Sequence, residues 1–169
     1  ADDNTVEVLD GTLNAGGISF DGAAANNTID INPGATFNLE TPLELTATES
    51  NAVLVDAGEL NVDGSVLLVG GENGVILSNG GQIAGLDELT MVGGKNGLAL
   101  LDDTTSQTAG FVSMMGSDNE VFNVGTLNVD TVLGMNSTGD NRIENDGTLE
   151  VGDTLDMDSI GSNQIVNDG

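Results

Sequence analysis

NEVFNVGTLNVDTVLGMNSTGD, residues 119–140, is followed at once by NRIENDGTLEVGDTLDMDSIGS, residues 141–162. Asn opens each block, and Val121 and Ile143 follow two residues later. A Gly turn then leads to Leu127 and Leu149, with Val129 and Val151 two positions on. Each block closes with a second apolar pair, Leu133 and Met135 or Leu155 and Met157. Spacing of two puts both members of a pair on one face of a strand. A period of this length, carrying three short strands and a return, describes one turn of a coil.

Working outward, the same pattern covers the chain. Earlier rungs open at Asn4, Asn27, Asn51, Gly74 and Gly97, and an eighth, NQIVNDG, opens at Asn163. The first strand of each rung carries Val6, Ile29, Val53, Ile76, Ala99, Val121, Ile143 and Ile165. The second carries Leu13, Phe37, Leu60, Ile83, Leu127 and Leu149; Ala15, Leu39, Val62, Val129 and Val151 lie two residues further on. Pairs such as Leu43 and Leu45, Val66 and Leu68, and Leu89 and Met91 supply the third. The fifth rung fits worst, with Ser106 and Thr108 where apolar residues are expected.

Asn recurs at the rung boundary as Asn4, Asn27, Asn51, Asn73, Asn96, Asn119, Asn141 and Asn163, with gaps of 22 to 24. Asn accepts left-handed backbone, and its amide can donate to one neighbour and accept from another. Such a column is a structural Asn ladder that pins register between stacked turns. Helices have no place here, because Gly interrupts nearly every window and i, i+3, i+4 apolar spacing never persists. The expected fold is therefore an all-β, single-stranded parallel β-helix, or β-solenoid, of about seven rungs of 22–24 residues. One β-solenoid segment spans 1–169, in keeping with a piece of a longer chain, since it starts at Ala1 without Met. At ~4.8 Å per rung the rod is on the order of 35 Å long.

Composition narrows the partners. Two Lys and Arg stand against 28 Asp and Glu, a formal charge of −26. Such a surface repels nucleic acid and anionic lipid, whose binding depends on cationic side chains. High charge and few aromatics often mean disorder, but the 38% hydrophobic fraction and its regular spacing oppose that. No apolar run approaches the length of a membrane span, so direct membrane insertion is not expected.

The segments NRIENDGTLEVGDTLDM and VFNVGTLNVDTVLGMNSTGDN resemble the Asn-Gly-rich, Thr-Leu-rich repeats of Gram-negative autotransporter passenger regions. The resemblance runs over nearly the whole chain and is weakest across residues 97–110. It implies a right-handed coil, export through an outer-membrane barrel and display on the outer surface of a bacterium. Members include adhesins, self-associating proteins, proteases and esterases, and the stem itself is usually a scaffold.

Catalytic chemistry has little to work with. The chain has no His or Cys, and no Ser sits in a G-x-S-x-G turn. A Ser–Lys pair would need Lys95, which lies in the turn GGKNG; Arg142 follows a ladder Asn as a solvated residue. Carboxylate pairs such as Asp102–Asp103 could suit glycan cleavage, but a sugar groove normally offers aromatic platforms, and there is no Tyr or Trp. Calcium is the more plausible acid chemistry, with Asp153, Asp156 and Asp158 as candidates. Neither the EF-hand loop nor the calcium-binding nonapeptide is matched, and a solvated acidic face is the preferred reading. The Gly pairs at 16, 70, 80 and 93 read as turns, and Met91, Met114, Met115, Met135 and Met157 mainly as core filling.

The expected protein is thus not an enzyme and has no resident cofactor. It is an extracellular structural or adhesive β-solenoid whose partners are a host or cell-surface ligand. The alternative is a filament subunit that self-associates end to end through open rungs.

Overall fold

The computed structural model describes residues 3–22 and 24–169. Within them every strand pairing is parallel, and sixteen strands form one continuous sheet wound into a β-solenoid of about seven turns. The expected fold class is therefore observed. β1 (Asn4–Val8) pairs with β4 (Asn26–Ile31), which pairs in turn with β7 (Ser50–Asp56). Each pairing aligns a residue with its counterpart 20 to 25 positions later, most often 22 to 24. Chemically similar side chains consequently stack in columns.

In the middle of the rod the strands run on through the corners, although the backbone turns left-handed at Gly64 and Gly85, with φ of 104° and 73°, and the pairing register shifts at Gly64. β8 runs unbroken from Glu59 to Ser78 and β9 from Gln82 to Leu100. The chain turns there at small residues rather than at loops. Gly70, Gly93, Gly116 and Ser137 follow one another along one such corner.

The interior is a single aliphatic column bundle from Val8 to Ile143, including Phe37, Leu60, Leu89, Met91, Leu98 and Leu133. Burying one such side chain contributes about 1.5–3 kcal/mol, and rungs share that burial with both neighbours. Four of the five methionines behave as core filling, whereas Met115 faces outward with 44% of its surface exposed.

Three details depart from the sequence reading. First, the interior residues of the fourth and fifth rungs are Val75 and Leu98, aligned with Val53 and Val121. Ile76 and Ala99 point outward. The strand period of two is set from the ladder Asn, so the inward residue is always two beyond it. Counting those rungs from Gly74 and Gly97 shifted the reading by one residue.

Second, Gln107 rather than Ser106 occupies the core position of the fifth rung, aligned with Leu127 and buried with Ala109. It has a specific task. Its Oε1 accepts from the Ile83 N–H at 2.8 Å, and its Nε2 donates to the Ile83 C=O at 2.8 Å and the Thr108 C=O at 2.6 Å. Strand β10 (Ser106–Gly116) pairs with β9 only from Phe111 onward, so the amide of Gln107 stands in for missing backbone pairing at Ile83. Replacing it by the leucine that its column suggests would strand two buried backbone groups. Gln107→Leu is expected to lower unfolding stability by about 2 kcal/mol, measured by denaturant titration.

Third, a second, buried Asn ladder was not anticipated. The column Val8, Ile31, Val55, Leu77, Leu100 switches to Asn123, Asn145 and Asn167. Asn123 donates to Asn145 Oδ1 at 2.7 Å, and Asn145 to Asn167 at 2.6 Å. The Oδ1 of Asn123 has no partner among the described residues, since Leu100 precedes it in the column.

Candidate functional site

The principal ladder is continuous through all eight Asn residues. Each Nδ2 donates to the Oδ1 of the next Asn, from Asn4 to Asn27 at 3.0 Å through to Asn141 to Asn163 at 2.9 Å. Second Nδ2 hydrogen bonds go to backbone carbonyls of the neighbouring third strand, including Thr46, Val69, Val92 and Asn136. The six central members are buried; Asn4 is half-buried and Asn163 exposed at the ends. The Gly corner beside the ladder explains its tightness. A Cβ on Gly70, Gly93 or Gly116 would fall 2.7–2.8 Å from a ladder Nδ2.

Outside the ladder, the first strand presents a groove of about 540 Å³. Its floor is Ala52, Gly74 and Gly97, stacked in register. Beside it runs an outward column of Leu54, Ile76, Ala99 and Phe122, likewise in register. The chain's only cations, Lys95 and Arg142, both line this groove. Lys95 lies 3.9 Å from Glu72, with both side chains two-thirds exposed. Arg142 donates to Glu120 at 2.9 Å and also meets Glu144; the Glu120 hydrogen bond raises its pKa further above the ordinary arginine value. Exposed pairs like these stabilise little and mainly set local charge.

A second groove of about 470 Å³ lies on the outer face of the third strand, along Phe111, Met115, Val132 and Gly134. Asp156 and Asp158 line it, exposed on the outer face of β15 (Thr154–Ser159), while Asp153 sits in the turn before. Among the described residues no group of three His, Cys, Asp or Glu side chains comes together as a metal would need. Melting in chelator and in millimolar calcium should differ by no more than the same concentration of magnesium produces. A shift specific to calcium would mean that the chain binds the ion.

Asp102 and Asp103 separate in role. Asp102 accepts hydrogen bonds from the Thr104 hydroxyl and N–H, the Asn79 N–H and the Thr105 hydroxyl. The Thr104 hydroxyl bond is the largest cause of its pKa falling to about 2. Asn79 itself takes a left-handed conformation with φ 53° in the preceding rung's turn. Asp102 is thus a cap joining two turns, and a carboxyl that acidic is poorly matched to donating a proton at neutral pH. Its folded pKa is depressed, so its stabilisation is complete above the ordinary 3.8 and is lost as pH falls toward about 2. Asp102→Asn should lower stability at neutral pH by about 1 kcal/mol and flatten the acid limb of the stability profile.

Comparison with protein-family models, with curated proteins and with solved structures finds no match. What fold and site define is a class: an acidic parallel β-solenoid stapled by Asn ladders, with a glycine-floored groove on the outer face of its first strand.

Proposed function

We propose that the chain is a non-catalytic structural and adhesive β-solenoid displayed on a bacterial outer surface, as its resemblance to autotransporter passengers implies. The observation that carries this reading is the unbroken Asn ladder beside a shared aliphatic core. Every rung is held the same way, so the chain is a stiff spacer with outward side chains left open to vary. Acidity keeps such rods soluble and apart. The chemistry-bearing residues are occupied structurally: Lys95 pairs with Glu72 and Asp102 caps a turn.

Antibody labelling of intact cells that make the protein tests display. Labelling of unbroken cells, removed by external protease, supports it. Labelling that requires lysis overturns it.

End-to-end assembly is the second reading, and the polarity of the ladder favours it. Every Asn donates toward the higher-numbered rung, so the Asn4 rung offers an amide oxygen and the Asn163 rung an amide N–H. Negative-stain electron microscopy at rising concentration distinguishes the two arrangements. Long uniform filaments support stacking, and isolated short rods overturn it.

A further inference from the structure

We propose that the outer face of the first strand, from the third to the sixth rung, docks a basic, aliphatic-bearing stretch of extended polypeptide from another protein. This rests on the adhesive part of the reading above and names its partner chemistry.

The outer face of the first strand is more apolar than that of the second. Outward positions of the second strand carry Thr12, Asn14, Thr36, Asn38, Glu59 and Asn61. On the first strand the equivalent column is Leu54, Ile76, Ala99 and Phe122, and Ile76 is 38% exposed. An apolar column turned to solvent across successive rungs is a surface awaiting cover.

The floor beside it is bare without a structural reason. A Cβ on Gly74 or Gly97 would meet nothing within 4 Å, and neither glycine has a positive φ. This contrasts with the corner glycines, where a Cβ would strike backbone. Glycine inside a strand weakens it, and its common use is to let another backbone approach closely. With no side chains on the floor, a main chain can lie against the sheet and place alternate residues on the Ile76 column.

Charge selects the partner. Four carboxylates line the groove, Glu72, Asp118, Glu120 and Asp140, against Lys95 and Arg142. Both cations already engage glutamates; Asp118 and Asp140 each accept hydrogen bonds from the neighbouring rung but meet no cation, so their charge is left to the visitor. A second copy would bring the same −26 charge and is disfavoured by repulsion. A glycan would find only Phe122 as an aromatic platform. A polypeptide alternating cationic and aliphatic side chains satisfies both the rim and the apolar column.

The test is fluorescence anisotropy with the purified chain and three synthetic peptides of equal length. One alternates lysine with valine, one lysine with serine, and one glutamate with valine. The lysine–valine peptide is expected to bind about tenfold more tightly than lysine–serine, and glutamate–valine not at all. Filling the floor in the variant Gly74→Gln/Gly97→Gln should bring lysine–valine binding down to the lysine–serine level, with the melting midpoint checked alongside. Ile76→Ser provides the same test should the double variant fold poorly. Equal binding of both lysine peptides, or binding indifferent to these substitutions, would overturn the proposal in favour of diffuse attraction to acid. The assay is independent of display, so its failure leaves cell-surface labelling intact, and failed labelling leaves the binding result intact.

Discussion

Asn119→Asp is expected to lower unfolding stability by about 3–5 kcal/mol at neutral pH, although it changes one atom. Asn119 sits mid-ladder, 2% exposed, accepting from Asn96 at 2.8 Å and donating to Asn141 at 2.9 Å and the Asn136 carbonyl at 3.1 Å. Aspartate keeps the acceptor and loses both donors. It also places a carboxylate against the Oδ1 of Asn141 in a buried column. Burial raises the pKa of the new carboxyl, so protonation is favoured in the folded state. The loss should therefore shrink as pH falls toward about 4, the reverse of the Asp102 contribution. Asn14→Asp is the control. Asn14 ends an exposed column whose amides donate toward the lower-numbered rung; it accepts from Asn38 at 2.6 Å and has no donated bond to lose, so stability should change by less than about 0.5 kcal/mol. Denaturant titration followed by far-ultraviolet circular dichroism reads both. An equal effect at the two sites would mean that neither burial nor the donated bonds govern the ladder.

The second large effect falls on the corner beside the ladder. A Cβ on Gly93 would lie 1.8 Å from the Gly70 carbonyl oxygen and 2.7 Å from Asn73 Nδ2. Neither obstacle is a flexible side-chain end, since one is backbone and the other is held by Asn96 at 2.9 Å. Gly93→Ala should cost about 3–4 kcal/mol, because rungs must separate locally to admit one methyl. Gly97→Ala, four residues on, adds the same methyl into open space. It should stabilise the strand by about 0.5 kcal/mol. Opposite signs from one substitution at two nearby glycines would show that the corner, not glycine content, sets the rung geometry.

The architecture was legible because a solenoid repeats its physics. Each rung carries its own Asn and its own period-two pairs, so the column structure could be read from alignment of the chain with itself. The Asn boundary fixed the register correctly at all eight positions. The errors came where a column changes chemistry. The fifth rung reads as a misfit at Ser106 and Thr108, whereas Gln107 between them takes the core position and bonds the unpaired backbone at Ile83. Asn123 falls outside the recurring Asn boundary, and only the register puts it next to Leu100 in the core. Ile76 and Ala99 read as core because they are apolar, and only counting from the ladder Asn turns them outward.

The candidate docking face was hidden for the same reason. Ile76 and Ala99 of its column read as interior, and Gly74 and Gly97 as the residues that open their rungs. Only the empty space around Gly74 and Gly97, set against the crowding at Gly70, Gly93 and Gly116, separates the two kinds. Lys95 and Arg142, about two rungs apart in sequence, gave no sign of sharing a groove until the rungs were stacked.

Hydrogen exchange of the Asn side-chain amides, followed residue by residue by NMR, tests the ladder most directly. Slow exchange is expected at Asn27, Asn51, Asn73, Asn96, Asn119 and Asn141, whose amides are buried and doubly engaged or nearly so, with immediate exchange at exposed Asn14. Uniformly fast exchange at all of these positions would contradict a solenoid stapled by buried asparagine.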